Sequence, residues 1–173
     1  GSWLAYGRAA DIDGRMAQSV SSDRGASWEY SASPFLRVVS SQRVVLRRMK
    51  GKCAAGSDPL LLISFSSEPV ESPNAMHITD EDGVERPIYG MYAAISFDDG
   101  KTWPHIRPIS DDGPERTIEG MDGMPHRMGP SCAEYNGYIA GVQARNGVFH
   151  LISSRNHYSF NMAWLSQRAP GLK

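Results

Sequence analysis

Cysteine, helical periodicity and an excess of either charge are all scarce in this chain of 173 residues. Cys53 and Cys132 stand 79 positions apart and carry no zinc or redox spacing, so free thiols are preferred to a disulfide between them. No other spacing of side chains calls for a metal or a cofactor, and the methionines of 121–128 read as loop packing. The 18 Lys+Arg and 19 Asp+Glu leave a net charge of −1, which excludes a nucleic-acid binder working by bulk phosphate attraction. No apolar run approaches the roughly 20 residues that a membrane-spanning helix needs. The longest, Pro59–Ile63, suits one buried strand. Disorder is excluded by 9% aromatics and balanced charge. What is left is a single globular domain able to bury a core.

Its period is that of strands. No window of a dozen residues keeps apolar spacing of three and four without Gly or Pro. Short apolar or alternating runs stand instead at 3–6, 16–20, 44–46, 60–65, 91–97, 138–142, 148–152 and 160–165. Between them lie turn clusters such as Asp98-Asp99-Gly100 and Arg145-Asn146-Gly147. This pattern predicts an antiparallel all-β protein.

One motif occurs twice. Ser21-Ser22-Asp23-Arg24-Gly25-Ala26-Ser27-Trp28 returns 75 residues later as Ser96-Phe97-Asp98-Asp99-Gly100-Lys101-Thr102-Trp103. Both fit Ser-x-Asp-x-Gly-x-[Ser/Thr]-Trp. Asp accepts turn N–H groups, Gly supplies a positive φ, the hydroxyl closes the turn and Trp packs between strands. The octamer resembles the Asp-box, or BNR repeat, of sialidase-like β-propellers, in which it joins the third and fourth strands (C and D) of a blade. The boxes themselves are expected to staple turns rather than touch a ligand.

The resemblance implies a partial propeller of about three blades, at 3–37, 40–110 and 138–165, with ten strands in all. It thus implies the C-terminal part of a larger ring, favours secretion although no signal peptide is visible, and leaves open edge strands through which copies associate. It also sorts the connections. Those between strands B and C or D and A fall opposite the boxes, where this fold class keeps its active site. That end is expected to collect 8–15, the approach to Arg43, the long connections 67–89 and 111–137, and 154–157.

Residue by residue, Arg8 and Arg86 match the second and third arginines of the sialidase carboxylate-binding triad. Tyr138 matches the nucleophilic tyrosine, nine residues before Gly147. Arg43 starts an innermost strand and faces the central funnel. Arg155 and His157 sit in Ser154-Arg155-Asn156-His157-Tyr158, a mixture suited to an acidic sugar or to acid–base work. Converging guanidinium groups grip a carboxylate through paired hydrogen bonds. A neutral tyrosine avoids repulsion from a carboxylate on the anomeric carbon, and a neighbouring acid must activate it. Glu134 stands four residues from Tyr138. The family's own activating glutamate, general acid and first arginine would all lie upstream. The departure around 154–158 points to a sugar other than sialic acid, such as a uronate or rhamnose. The expected activity is therefore glycoside hydrolysis at a terminal acidic or deoxy sugar. Alternatives are a carbohydrate-binding propeller without catalysis and an inert scaffold.

Overall fold

The computed structural model describes residues 1–51, 58–110 and 113–172. Cys53 lies outside the described residues, and the question of its pairing with Cys132 lies there with it. The molecule is all-β, built of several small antiparallel sheets. β1 (Trp3–Ile12), β2 (Arg15–Ser21) and β3 (Glu29–Leu36) form the first, in that order. β4 (Val45–Arg48) and β5 (Leu60–Ser66) begin the second. A separate hairpin, β6 (Met76–Thr79) with β7 (Glu85–Ile88), follows before β8 (Gly90–Ser96) and β9 (His105–Pro108) complete the order β4-β5-β8-β9. A further hairpin, β10 (Arg116–Glu119) with β11 (Pro125–Met128), precedes the last sheet. That sheet joins β12 (Ala140–Gln143), β13 (Phe149–Ile152) and β14 (His157–Phe160). Among the described residues no helix is long and apolar enough to cross a membrane.

The second sheet lies between the other two. Every residue of β5 and β8 is buried, which explains why Leu60–Ser66 shows no polar alternation. Leu61, Ile63 and Phe65 join Met91, Ala93 and Ile95 in a core shared with Phe149, Leu151 and Phe160 of the last sheet. Leu62, Tyr92 and Ala94 belong to a second core with Met16 and Phe35 of the first sheet. Phe35 is the hinge of that second core, 5.1 Å edge-on from Trp103 and 6.1 Å from Tyr92. Each such side chain withdrawn from water contributes about 1.5–3 kcal/mol.

The two octamers close through the same four hydrogen bonds, to which the second adds the Asp98 N–H donating to Ser96 Oγ at 3.4 Å. Ser21 Oγ and Ser96 Oγ each donate 2.8 Å to the Asp two residues on, and each accepts the Gly25 or Gly100 N–H at 2.7 Å. Asp23 accepts the Ser27 N–H at 2.9 Å and its hydroxyl at 2.6 Å. Asp98 accepts the same groups of Thr102 at 2.8 and 2.6 Å. Arg24 and Asp99 take φ of 63° and 61°, and the following glycines 92° and 88°. These bonds, led by the hydroxyl of Ser27 or Thr102, hold both carboxyls down at about 2.

Two expectations need correction. The run 160–165 is not a strand throughout: β14 ends at Phe160, and Asn161 caps a helical turn, α1 (Met162–Leu165), accepting the Trp164 N–H at 2.9 Å. That turn brings Trp164 against Phe160, 5.6 Å between tilted rings, which a continued strand would not do. Among the described residues there are fourteen strands rather than ten, because both long connections carry hairpins. The first of them does not stay at the end away from the boxes. Met76, Ile78 and Ile88 alternate as apolar residues and pack into the core of the first two sheets. This carries the tip of β6–β7 back along the outer strand, where Thr79 and Glu85 border Trp103 and His105.

The approaches to β4 and β12 run side by side. A parallel bridge joins Gln42 to Gly137, and the Gly137 N–H donates to Ser41 O at 2.9 Å. At the other end the Lys50 N–H donates to Gln143 Oε1 at 2.6 Å, and Gln143 Nε2 returns a bond to Lys50 O at 3.1 Å. One end of the molecule therefore holds the second box and the Gly147 turn. The opposite end holds Arg43, Tyr138 and the turn between β13 and β14.

Candidate functional site

Three segments meet at that opposite end: 39–43, 134–138 and 153–158. Gln42, wholly buried, accepts the Val39 N–H at 2.8 Å and donates to Tyr135 O at 2.7 Å. Ser154 Oγ accepts the Tyr138 N–H at 2.9 Å. Ser153 Oγ accepts the N–H groups of Arg155 and Asn156 at 3.1 and 2.8 Å, which shapes the turn into β14. The backbones of all three segments are thereby tied together.

Glu134 is the chemical centre of this arrangement. Only 5% exposed, it accepts the Tyr158 phenol at 2.7 Å through Oε2, with the Asn156 amide at 3.5 Å. Its other oxygen, Oε1, is buried without a hydrogen-bond partner. A buried carboxylate bonded to a phenol is a ready acceptor for the phenolic proton. Tyr158 and Asn156 also border an open groove of about 460 Å³, together with His157, Arg107, Arg116 and Trp164. Arg107 is buried over the Trp164 ring at 3.9 Å and donates to Trp164 O at 2.9 Å. Burial draws its guanidinium below the usual arginine range.

The residues singled out in the sequence fall in different places. Arg43 and Tyr138 come together: the guanidinium lies 4.0 Å from the centre of the phenol ring, held by the carbonyls of Ser40 and Gln42 at 3.5 and 3.2 Å. Arg155 hydrogen-bonds His126 Nδ1, whose Nε2 lies 3.4 Å from Asp122, and the Arg155 carbonyl accepts the Met121 N–H at 2.8 Å. These contacts clamp the β10–β11 hairpin onto the turn. His157 stacks on His150, ring planes 11° apart, with Nε2 and Nδ1 at 3.1 Å. Arg8 is exposed on β1, beside the register shift that follows Tyr6. Arg86 stands apart from the group. It is 7% exposed on β7, 3.9 Å from the Asp80 carboxylate, and donates to Pro170 O at 3.0 Å, so it fastens the hairpin to the 169–171 segment.

Sequence reasoning passed over the partnership of Glu134 with Tyr158. Its available signal was the alternation Tyr158-Ser159-Phe160, which sets Tyr158 on the same face as the core residue Phe160. Comparison of the chain with protein-family models, with curated proteins and with solved structures finds no match.

Proposed function

We infer that this chain is part of a sialidase-like β-propeller that hydrolyses glycosides of a terminal acidic or deoxy sugar. The supporting fold features are the two closed octamers and the stacking of three antiparallel sheets. The observation that carries the activity is the Tyr158 phenol donating to the buried Glu134 carboxylate beside a groove with two arginines. In this reading Arg107 and Arg116 hold the sugar's acidic or hydroxyl groups. The Tyr158 oxygen attacks the anomeric carbon, its proton passing to Glu134 as the bond to the leaving oxygen breaks. An aryl leaving group departs as the phenolate. Alkyl leaving groups take their proton from His157 on the same groove; water then attacks the anomeric carbon, passing its proton to His157, and the bond to the tyrosine oxygen breaks as Glu134 returns its proton to that oxygen. Tyr158 takes the nucleophile's role in place of Tyr138, whose ring faces a guanidinium instead of a carboxylate.

The test is hydrolysis of aryl glycosides of sialic acid, rhamnose and uronic acids by the intact protein. Release from at least one is expected, lowered at least about a hundredfold by Tyr158→Phe and Glu134→Gln with folding retained. No release from any of them overturns the hydrolase. Glutamate 134 is the one acid at the junction of the three segments among the described residues, which favours a carbohydrate-binding module as the second reading. Glycan binding without turnover selects it.

A further inference from the structure

The chain that carries Glu134 also carries two aromatic rings into water. Tyr135 is 43% exposed and Tyr138 is 59% exposed. Tyr89 supports the first, with ring centres 5.2 Å apart at 44°. Neither exposed tyrosine rides on a loose loop. The Tyr135 carbonyl is bonded to the buried Gln42 side chain, the Tyr138 N–H to Ser154, and the Tyr138 ring to the anchored Arg43. Each ring is supported on one side, by Tyr89 or by Arg43, and remains partly open to solvent on the segment that begins with the buried Glu134.

We propose that Tyr135 and Tyr138, backed by Tyr89, form a stacking platform for a neutral pyranose, the sugar to which the terminal residue is linked. This rests on the function proposed above. A pyranose offers polarised C–H groups on its face and hydroxyls at its rim. The π-face of a phenol attracts the former, and the Arg43 guanidinium serves the latter. The other common guest of clustered aromatic rings is a cation, which the charge of Arg43 against Tyr138 repels. The substrate class becomes an oligosaccharide: its terminal residue enters the groove beside Tyr158, and its second ring lies on the tyrosines. One turn, 153–158, joins the two, since Ser154 holds Tyr138 while Asn156 and Tyr158 border the groove.

Calorimetric titration of the intact protein with free sialic acid against sialyllactose, and with rhamnose against rutinose, tests it. The hexose-linked member of the pair that binds is expected to bind roughly tenfold tighter. Changing Tyr135→Ala and Tyr138→Ala together removes that gain and leaves the affinity for the free sugar unchanged, while Tyr138→Phe keeps it. Tyrosine ring-proton shifts of the unmodified protein, moved by the hexose-linked ligand and not by the free sugar, give the same answer without a substitution. Equal affinity for both members overturns the platform and leaves the function standing, as does a gain that survives the double alanine change. Absence of binding to all four ligands, and to glucuronic acid and a hexose-linked glucuronide titrated in the same way, overturns both.

Discussion

The two octamers share four hydrogen bonds among Ser, Asp, Gly and the closing hydroxyl residue to within 0.1 Å, yet their settings differ. Trp103 of the second packs against Phe35 and Tyr6, at the joint between the first two sheets. Trp28 of the first meets Trp3 at 6.4 Å, and that ring is half exposed. Gly100 is buried and Gly25 is partly exposed. The polar staple is therefore a self-contained local device, whereas the tryptophan takes its energetic value from whatever sheet lies beneath it. Closing the turn and uniting the sheets are separable tasks carried by different residues of one octamer.

The sharpest way to break the likeness is to remove the rings. Trp103→Ala is expected to cost about 3–5 kcal/mol, and Trp28→Ala about 1 kcal/mol, by urea unfolding. Equal losses would mean that the second box does not join sheets. The glycines come next. A Cβ on Gly100 would stand 2.5 Å from Leu4, and one on Gly25 would stand 2.8 Å from the Trp3 ring. Both would also be strained at positive φ. Trp3 has solvent to move into, so Gly25→Ala should lower Tm by a few degrees and Gly100→Ala by clearly more. The reverse order would contradict the packing described.

The smallest effect sharpens the similarity instead. Both box carboxyls titrate at about 2, below the ordinary 3.8. A depressed carboxyl adds stability that is complete above its ordinary value and is lost as pH falls through the folded one. Carboxyl NMR titration should show Asp23 and Asp98 protonating together near pH 2, with the hairpins closed at pH 4. Separate midpoints, one of them near 4, would show that one staple is open.

The legible part of the molecule was its local part. The octamer specifies its own turn, because donor, acceptor and positive-φ residue all lie within eight positions. The buried runs announced β5 and β8 for a similar reason. The motif matched to Arg86 is read along the chain, while the place of its side chain is decided across the hairpin. It pairs with Ile78 and shares a face with Ile88, so the alternation of β7 turns it inward onto Asp80. The strands β6, β7, β10 and β11 mix charged, polar and proline residues with few apolar ones, so no apolar run marked them off from their turns. Arg43 and Tyr138 were read as the first residues of strands and instead lie two residues before β4 and β12; their contact depends on the parallel approach of 41–42 to 137, which no local pattern encodes.

The doubly covered middle sheet has a consequence for how the chain must be made. Leu-Leu-Leu-Ile-Ser-Phe-Ser, at 60–66, contains no charge and no proline, the kind of segment that seeds fibrils when bare. Its neighbours on either side thus act as permanent guardians, and during synthesis the last of them emerges some 90 residues after the strand it must shield. Until then this stretch is a natural client for a chaperone.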